Sequence, residues 1–494
     1  MPIRLSGLAS GMDTESIVAE MMKAQRLKLT KIENKKTRLE WKNEKWQDLN
    51  KKLYAFYTGS LNSMKLQGTF NTKTAISSNT NKVAVTAGNT ALEGSHQIKV
   101  IKLATAQYVT GAATDELENA TSGATMSELG IVTGVDKTIN VNGKDITVTA
   151  STKVSDLVAD MKSAGINASF DSTHKRFYLS SMGTGAKEAF SITGDAATLS
   201  ALGLGTNKII LDAQDSEIEY NGATMKSSSN SVEVNGLTFQ LLGETGEDAV
   251  NINVKKDTQA VYDKIKGFVK EYNELLAQMN EFYYASTAKG FEPLTEEQKS
   301  AMSEKEIEKW EAKIKDSLLR RDDGIGNLMS LMRTSLSKSV QVNLGGGSKS
   351  YSLSTFGIKS SDYTEKGILH IDGDKDDSKV SEMENKLMKA LEEDPEAVIE
   401  TFNDLAGELY DSFKKEIMGD GKTKNPLRSA LTFYNDKEIK SQIDDYKDKL
   451  SVMERKLEAM ESRYYKQFTA MEKAMSEMNT KSNYLASMLG TGNK

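Results

Sequence analysis

Catalysis and ligand binding draw on a short list of side chains, and this chain is poor in several of them. It has no cysteine, which excludes a disulfide, a thiolate metal site and a thiol nucleophile. Histidine occurs only at His96, His174 and His370. The three are far apart in sequence, and each reads as a surface or strand residue. Gly421-Lys422-Thr423 has the ending of a phosphate-binding loop. Such a loop needs a glycine five positions before its second one, where Glu416 stands, and a preceding strand, where the pattern is helical. Asp372, Asp374 and Asp376 open like a calcium loop. Asp377 occupies the glycine position and Met383 that of the bidentate glutamate, leaving at most loose surface binding of calcium. The acidic run Glu392-Glu393-Asp394 lacks the apolar surroundings that raise a carboxylate for acid catalysis, and no Gly-x-Ser-x-Gly elbow occurs. The residues therefore imply no catalytic group, no cofactor and no metal.

If the chain does not act through a reactive site, its elements must carry the function. Its 494 residues exceed one ordinary core and allow roughly three or four domains. A mean hydropathy of -0.49 suits long, solvent-washed helices. The net charge of -6 argues against nucleic-acid binding, which needs a concentrated basic patch. No apolar stretch reaches the ~18 residues of a membrane span, and no basic segment leads into an apolar run near Met1, so no cleaved signal peptide is expected.

The two ends read as helix. Asp13 is a plausible N-cap with Glu15 in the first turn. Ile17, Met21 and Ala24 follow at spacings of four and three, then Ile32, Leu39 and Trp46 at sevens, then Leu49, Leu53 and Phe56, with Gly68 as the expected stop. At the other end Ile439, Ile443, Tyr446, Leu450, Met453, Leu457, Met460 and Tyr464 alternate by four and three. A further step of four reaches Phe468, a stutter. Met471, Met475 and Met478 resume the stripe, and Leu485 and Leu489 close it. A seam this long needs partners. Its methionines, Met488 included, are flexible enough to re-pack against non-identical surfaces. If they do so, replacing them by isoleucine slows assembly, and unchanged growth sinks the idea.

Between about 71 and 255 the character changes. Beta-branched and polar residues alternate in Lys82–Thr86 and Gln97–Ile101, and Asn142-Gly143, Asn221-Gly222 and Asn235-Gly236 separate strand-like runs. Asn-Gly readily takes the positive φ angles of a type I′ hairpin turn. From Lys137 to Thr193 the order is strand, hairpin, strand, short helix (Lys153 to Ala164), then strands at Asn167–Phe170 and Arg176–Ser180. That is a compact α+β module inserted in a mainly β domain. From Asp257 helix returns on Val261, Ile265, Phe268, Tyr272, Leu275, Met279 and Phe282. Thr295–Gln298 and Ser303–Glu306 are capping-box patterns, and Asp394-Pro395 reads as N-cap and first helical residue. It leads into Val398, Phe402, Leu405 and Leu409. A small β patch is expected at Tyr351–Phe356 and Gly367–Ile371.

Read as text, these segments resemble the flagellar hook-associated protein 2 family, the filament cap. Gly7-Leu8-Ala9-Ser10-Gly11-Met12-Asp13 followed by Ile17-Val18 is similar to its opening motif. Tyr464 to Glu472 and Ser482-Asn483-Tyr484-Leu485 are similar to its closing helix. Gly94 to Val100, running on to Leu103 to Gln107, resembles the first strand pair of its head. The module at Val141-Asn142-Gly143 resembles a repeat of flagellin-associated proteins. Phe356-Gly357-Ile358 and Glu393 to Val398 are similar to its leg. The stretch Glu292 to Lys315 looks like an inserted helical segment.

The resemblance implies a multidomain α+β chain in which long terminal helices form a coiled-coil or helix-bundle leg, and a β-rich head carries an inserted α+β module. The expected boundaries are 1–68 for the first helix, 69–108 with 206–256 for the β-rich head, 109–205 for the inserted module, 257–435 for the helical leg domain and 436–494 for the last helix. It implies a ring of about five or six copies at the filament tip, with flagellin folding beneath the head and inserting beside a leg. Expected partners are other copies, flagellin, the hook–filament junction protein and a cytoplasmic chaperone on the C-terminal helix, with host mucin glycans as a further candidate; neither nucleic acid nor membrane is expected. Export would use the flagellar type III apparatus. The expected assembly surface is the seam from Ile17 to Leu489. The competing readings are a junction protein or divergent flagellin, a distal adhesin and, last, an enzyme.

Overall fold

The computed structural model describes residues 11–343, 347–360, 362–418 and 428–490; Gly421-Lys422-Thr423 and the motif before Gly11 lie outside them. Helix α1 (Thr14–Thr58) starts on Asp13, whose carboxylate accepts from the Ser16 amide. It stops nine residues earlier than expected, at Gly59 rather than Gly68. Gly59 ends it, and a Cβ there would lie 2.8 Å from the Ala55 carbonyl oxygen. A short α2 (Ser60–Met64) and a 3₁₀ turn (Gln67–Phe70) follow.

Residues 71–257 form one compact unit. Its strands are β1 (Lys73–Ser77), β2 (Val83–Ala87), β3 (Gly94–Lys102), β4 (Tyr108–Thr110), β5 (Lys137–Val141) and β6 (Lys144–Val148), then helix α3 (Val154–Ser163), β7 (Ile166–Asp171), β8 (Arg176–Ser181), β9 (Ile192–Gly194) and helix α4 (Ala196–Ala201). Strands β10 (Ile209–Leu211), β11 (Ser216–Tyr220), β12 (Ala223–Ser227), β13 (Ser231–Val234), β14 (Leu237–Leu241) and β15 (Val250–Lys256) complete it. All pairings are antiparallel. A five-stranded sheet β1-β15-β3-β11-β12 and a three-stranded sheet β13-β14-β2 share a core of Val83, Ile98, Ile218, Phe239 and Ile252. A second core, with Val109, Ile139, Leu157, Met161, Phe177 and Leu179, lies among sheets β10-β4-β8-β7 and β6-β5-β9 and α3. All three Asn-Gly pairs turn hairpins: β5–β6, β11–β12 and β13–β14. Their asparagines have φ of 47 to 52° and their glycines 76 to 85°, the signs a type I′ turn requires.

The rest of the chain forms the other unit. After 257 come α5 (Thr258–Tyr283), α6 (Glu296–Ser300), α7 (Glu304–Ser317) and α8 (Asp323–Leu336), hairpin β16 (Val340–Asn343) with β17 (Ser348–Tyr351), and the pair β18 (Ile358–Lys359) with β19 (His370–Ile371). Helices α9 (Lys386–Glu393), α10 (Pro395–Met418) and α11 (Asp436–Leu489) end it. The β patch differs from expectation. Leu353–Phe356 is a 3₁₀ turn closed by left-handed Gly357, and its Leu353 and Phe356 are buried as a helical turn buries them. Both capping boxes form: the Thr295 amide donates to Gln298 and the Ser303 amide to Glu306. The seven apolar residues expected along α5 are all buried. They join Trp46, Leu53 and Phe56 of α1, Met332 of α8, Phe402, Leu409 and Phe413 of α10, and Ile439 and Ile443 of α11 in one core. No described helix is long and apolar enough to cross a membrane.

Candidate assembly interface

The seam is built from α1 and α11. They run antiparallel: Arg26 of α1 pairs with Glu461 of α11 at 3.5 Å, while Asn43 and Asn50 of α1 meet Tyr434 and Phe433 just before α11 begins. The Asn50 Oδ1 accepts from the Phe433 amide at 2.7 Å, and the Tyr434 hydroxyl donates to Asn43 Oδ1. Trp46 stacks on Tyr434 with centroids 5.2 Å apart and rings 3° from parallel. Asp436, the first residue of α11, is buried. Burial pushes its pKa up, but hydrogen bonds from Ser429 and Thr432 outweigh this and hold it below the usual range. The anion also sits at the positive end of the helix dipole.

The structure divides the expected seam residues into three groups. Trp46, Leu53, Ile443 and Leu457 are buried, the first three in the helical core and Leu457 against Val18 and Met22 of α1. Ile32, Leu39, Tyr446, Leu450, Met453, Met460, Tyr464, Phe468, Met471 and Met475 are half-buried. Ile17, Met21, Met478, Leu485 and Met488 are exposed, Met478 at 70%. The Leu489 side chain lies outside the described residues.

At the start of α1 the inward residues are Val18 and Met22, while Ile17 and Met21 of the expected assembly surface are exposed. The inward row can be read from the spacing. Counting back by sevens from Trp46 through Leu39 and Ile32 lands on Gln25 and Val18. The second row of the same heptad holds Met22, Leu29, Lys36, Asn43 and Asn50. Three polar residues in that row hid it, and two of them, Asn43 and Asn50, make the contacts to 433–434. Such polar seam positions set register at some cost in stability.

The segment between α5 and α8 braces α1. Arg38 donates to the Phe291 carbonyl at 2.6 Å and pairs with Glu292 at 3.2 Å, Lys45 pairs with Asp316, and Lys315 lies over the Trp41 ring. The aspartates that open like a calcium loop are occupied by lysines: Lys266 reaches Asp374 and Asp376, and Lys359 and Lys386 reach Asp372. Among the described residues no group of three or more metal-binding side chains converges.

Along this seam part of the apolar stripe is buried within the chain and part is left exposed. The family model described as the C-terminus of flagellar hook-associated protein 2 matches residues 213–480, and the model of its N-terminus matches residues 10–107. The chain is 28% identical to flagellar hook-associated protein 2 of Halalkalibacterium halodurans over 97% of this chain and 98% of that one. It is 25% identical to the protein of the same name from Escherichia coli K12, over 97% and 96%. The crystal structure of the flagellar cap protein FliD D1-D2-D3 domains from Escherichia coli is similar at 20% identity with a TM-score of 0.47, covering 82% of this chain and 99% of that one. With one family model alone spanning more than half of its length, the chain belongs to the flagellar hook-associated protein 2 family.

Proposed function

We propose that this chain caps the distal tip of a bacterial flagellar filament, where it promotes flagellin folding and polymerisation and prevents loss of flagellin monomers. The observation that carries this reading is the incompletely covered α1–α11 seam in a chain of this family. The exposed side chains of Met478, Tyr484, Leu485 and Met488 form a face that another molecule can cover. Helix faces left open in this way order on association and can exchange one partner for another, which a cap needs as each subunit is added beneath it.

The role is structural rather than catalytic. Its partners are other copies in a ring, flagellin, the hook–filament junction protein and a cytoplasmic chaperone during type III export. The separate apolar cores within 71–257 support dividing the head into a β-rich domain and the inserted module at 109–205. The test is unpolymerised flagellin in the medium of a strain lacking the gene. Abundant free flagellin and bare hooks, reversed by restoring the gene, are expected. Normal filaments without leakage would reject the cap and favour the junction or adhesin readings.

A further inference from the structure

Strand β10 stands at the edge of the sheet β10-β4-β8-β7. Among the described residues no strand pairs with its outer side. Its three residues are consecutive large aliphatics, Ile209, Ile210 and Leu211, exposed by 59%, 43% and 63%. Folded proteins normally blunt such an edge with lysine, proline or a bulge, because an open apolar edge pairs with another chain. β10 is only three residues long, which limits such pairing, but it carries no proline or bulge, and the nearest lysine, Lys208, stands just outside it.

The residues on either side say what covers it. The segment reads Lys208-Ile209-Ile210-Leu211-Asp212. Laid antiparallel on a second copy of itself with Ile210 opposite Ile210, it sets Ile209 against Leu211 and Lys208 against Asp212, twice over. The central residues are apolar and each end is an opposite-charge pair, a cross-strand arrangement that stabilises antiparallel sheets. Among the described residues neither Lys208 nor Asp212 has an ionic partner of its own. The Lys208 ammonium donates to the carbonyls of Leu204 and Gly205.

The register within the sheet extends the match. Leu211 lies opposite Tyr108, and Ile209 opposite Thr110, which lies opposite Tyr178. These residues share the outer face of the sheet, and Tyr108 and Tyr178 are both exposed. Self-pairing would bring Tyr108 and Leu211 of one copy into line with Ile209, Thr110 and Tyr178 of the other. We infer that β10 is a self-pairing edge through which two copies of this chain join about a two-fold axis into one eight-stranded sheet. A two-fold contact cannot be the repeating step of a single cyclic ring. It therefore joins copies that belong to different rings or that are not yet in one, and it does not depend on the cap reading.

The cysteine-free chain permits a direct test. Residues opposite one another across an antiparallel pair have Cα atoms about 4.5 to 5.5 Å apart, within disulfide reach. In the full-length chain at micromolar concentration, Ile210→Cys should oxidise to a covalent dimer on the order of a hundredfold faster than Val135→Cys, an exposed position remote from β10 in sequence, because a held pair raises the effective thiol concentration to roughly millimolar. Adding Lys208→Asp to Ile210→Cys should abolish the advantage, and adding Asp212→Lys as well should restore it. Equal rates at 210 and 135, or a double charge exchange that fails to restore pairing, overturns the inference. Neither readout involves flagellin.

Discussion

His370 sits buried on β19 between two carboxylates, with Nε2 2.8 Å from Glu365 and Nδ1 against Asp377. Lys379 also reaches Glu365. Burial alone would lower the pKa of the imidazole, but the hydrogen bonds to Asp377 and Glu365 outweigh it and the net shift is upward. A raised folded-state pKa contributes stability that is complete below the unfolded value, about 6.5, and is lost as pH rises through the folded value. Glu365, held down chiefly by Lys379 and then His370, and Asp377, held down by His370 against its own burial, lie below their ordinary values. Their contributions are lost only as the pH falls through the carboxylate range. His370→Asn should therefore cost more stability near pH 5.5 than near pH 8.5, read as urea midpoints at the two values; an equal cost at both would show that the imidazolium contributes nothing. The site was half legible. The failed calcium pattern at Asp372 to Met383 could be read from spacing, but not that Lys266, more than a hundred positions earlier, is the cation that meets Asp374 and Asp376.

Among the elements, the hairpins were the most legible because the turn residues themselves dictate the backbone. Their surroundings still differ. A Cβ on Gly222 meets nothing within 4 Å, whereas one on Gly236 would lie 2.6 Å from the Ala91 amide nitrogen. Gly222→Ala should cost only the left-handed strain of about 1–2 kcal/mol, and Gly236→Ala about 1–3 kcal/mol more from overpacking, measured by equilibrium denaturation. The terminal helices were legible as helices and only partly as a pair. Heptads mark an apolar stripe, but the polar row through Lys36, Asn43 and Asn50 obscured which residues at the helix start face inward. Burial along α11 falls from Ile443 and Leu457 to an exposed end beyond Met475. Helix amides without packed side chains exchange by local opening. Hydrogen exchange in the isolated chain should therefore be faster across 476–489 than across 439–457, and uniform protection along α11 would contradict the exposed face.

On the scale of the whole chain, the period of hydrophobicity shows where helix gives way to sheet and back, which is why the β-rich segment can be read from sequence. It does not show which stripes meet. The core that gathers Trp46 with Ile265, Phe402 and Ile439 joins residues hundreds of positions apart. Because the helical core shares no residue with either core of 71–257, heating should give at least two transitions. Phe402→Ala should lower one and Phe239→Ala another, each by about 3–5 kcal/mol, followed by calorimetry; a single transition moved by both would mean the units unfold together. The unit 71–257 also begins and ends on one pair of neighbouring strands. Lys73 is opposite Lys256, and the Asp257 amide donates to the Thr72 carbonyl at 2.9 Å. Such a segment is a cassette. Any replacement whose two ends arrive on paired antiparallel strands can be spliced in at that one doorway, so this unit's surface can be exchanged while the helical core's sequence is left untouched.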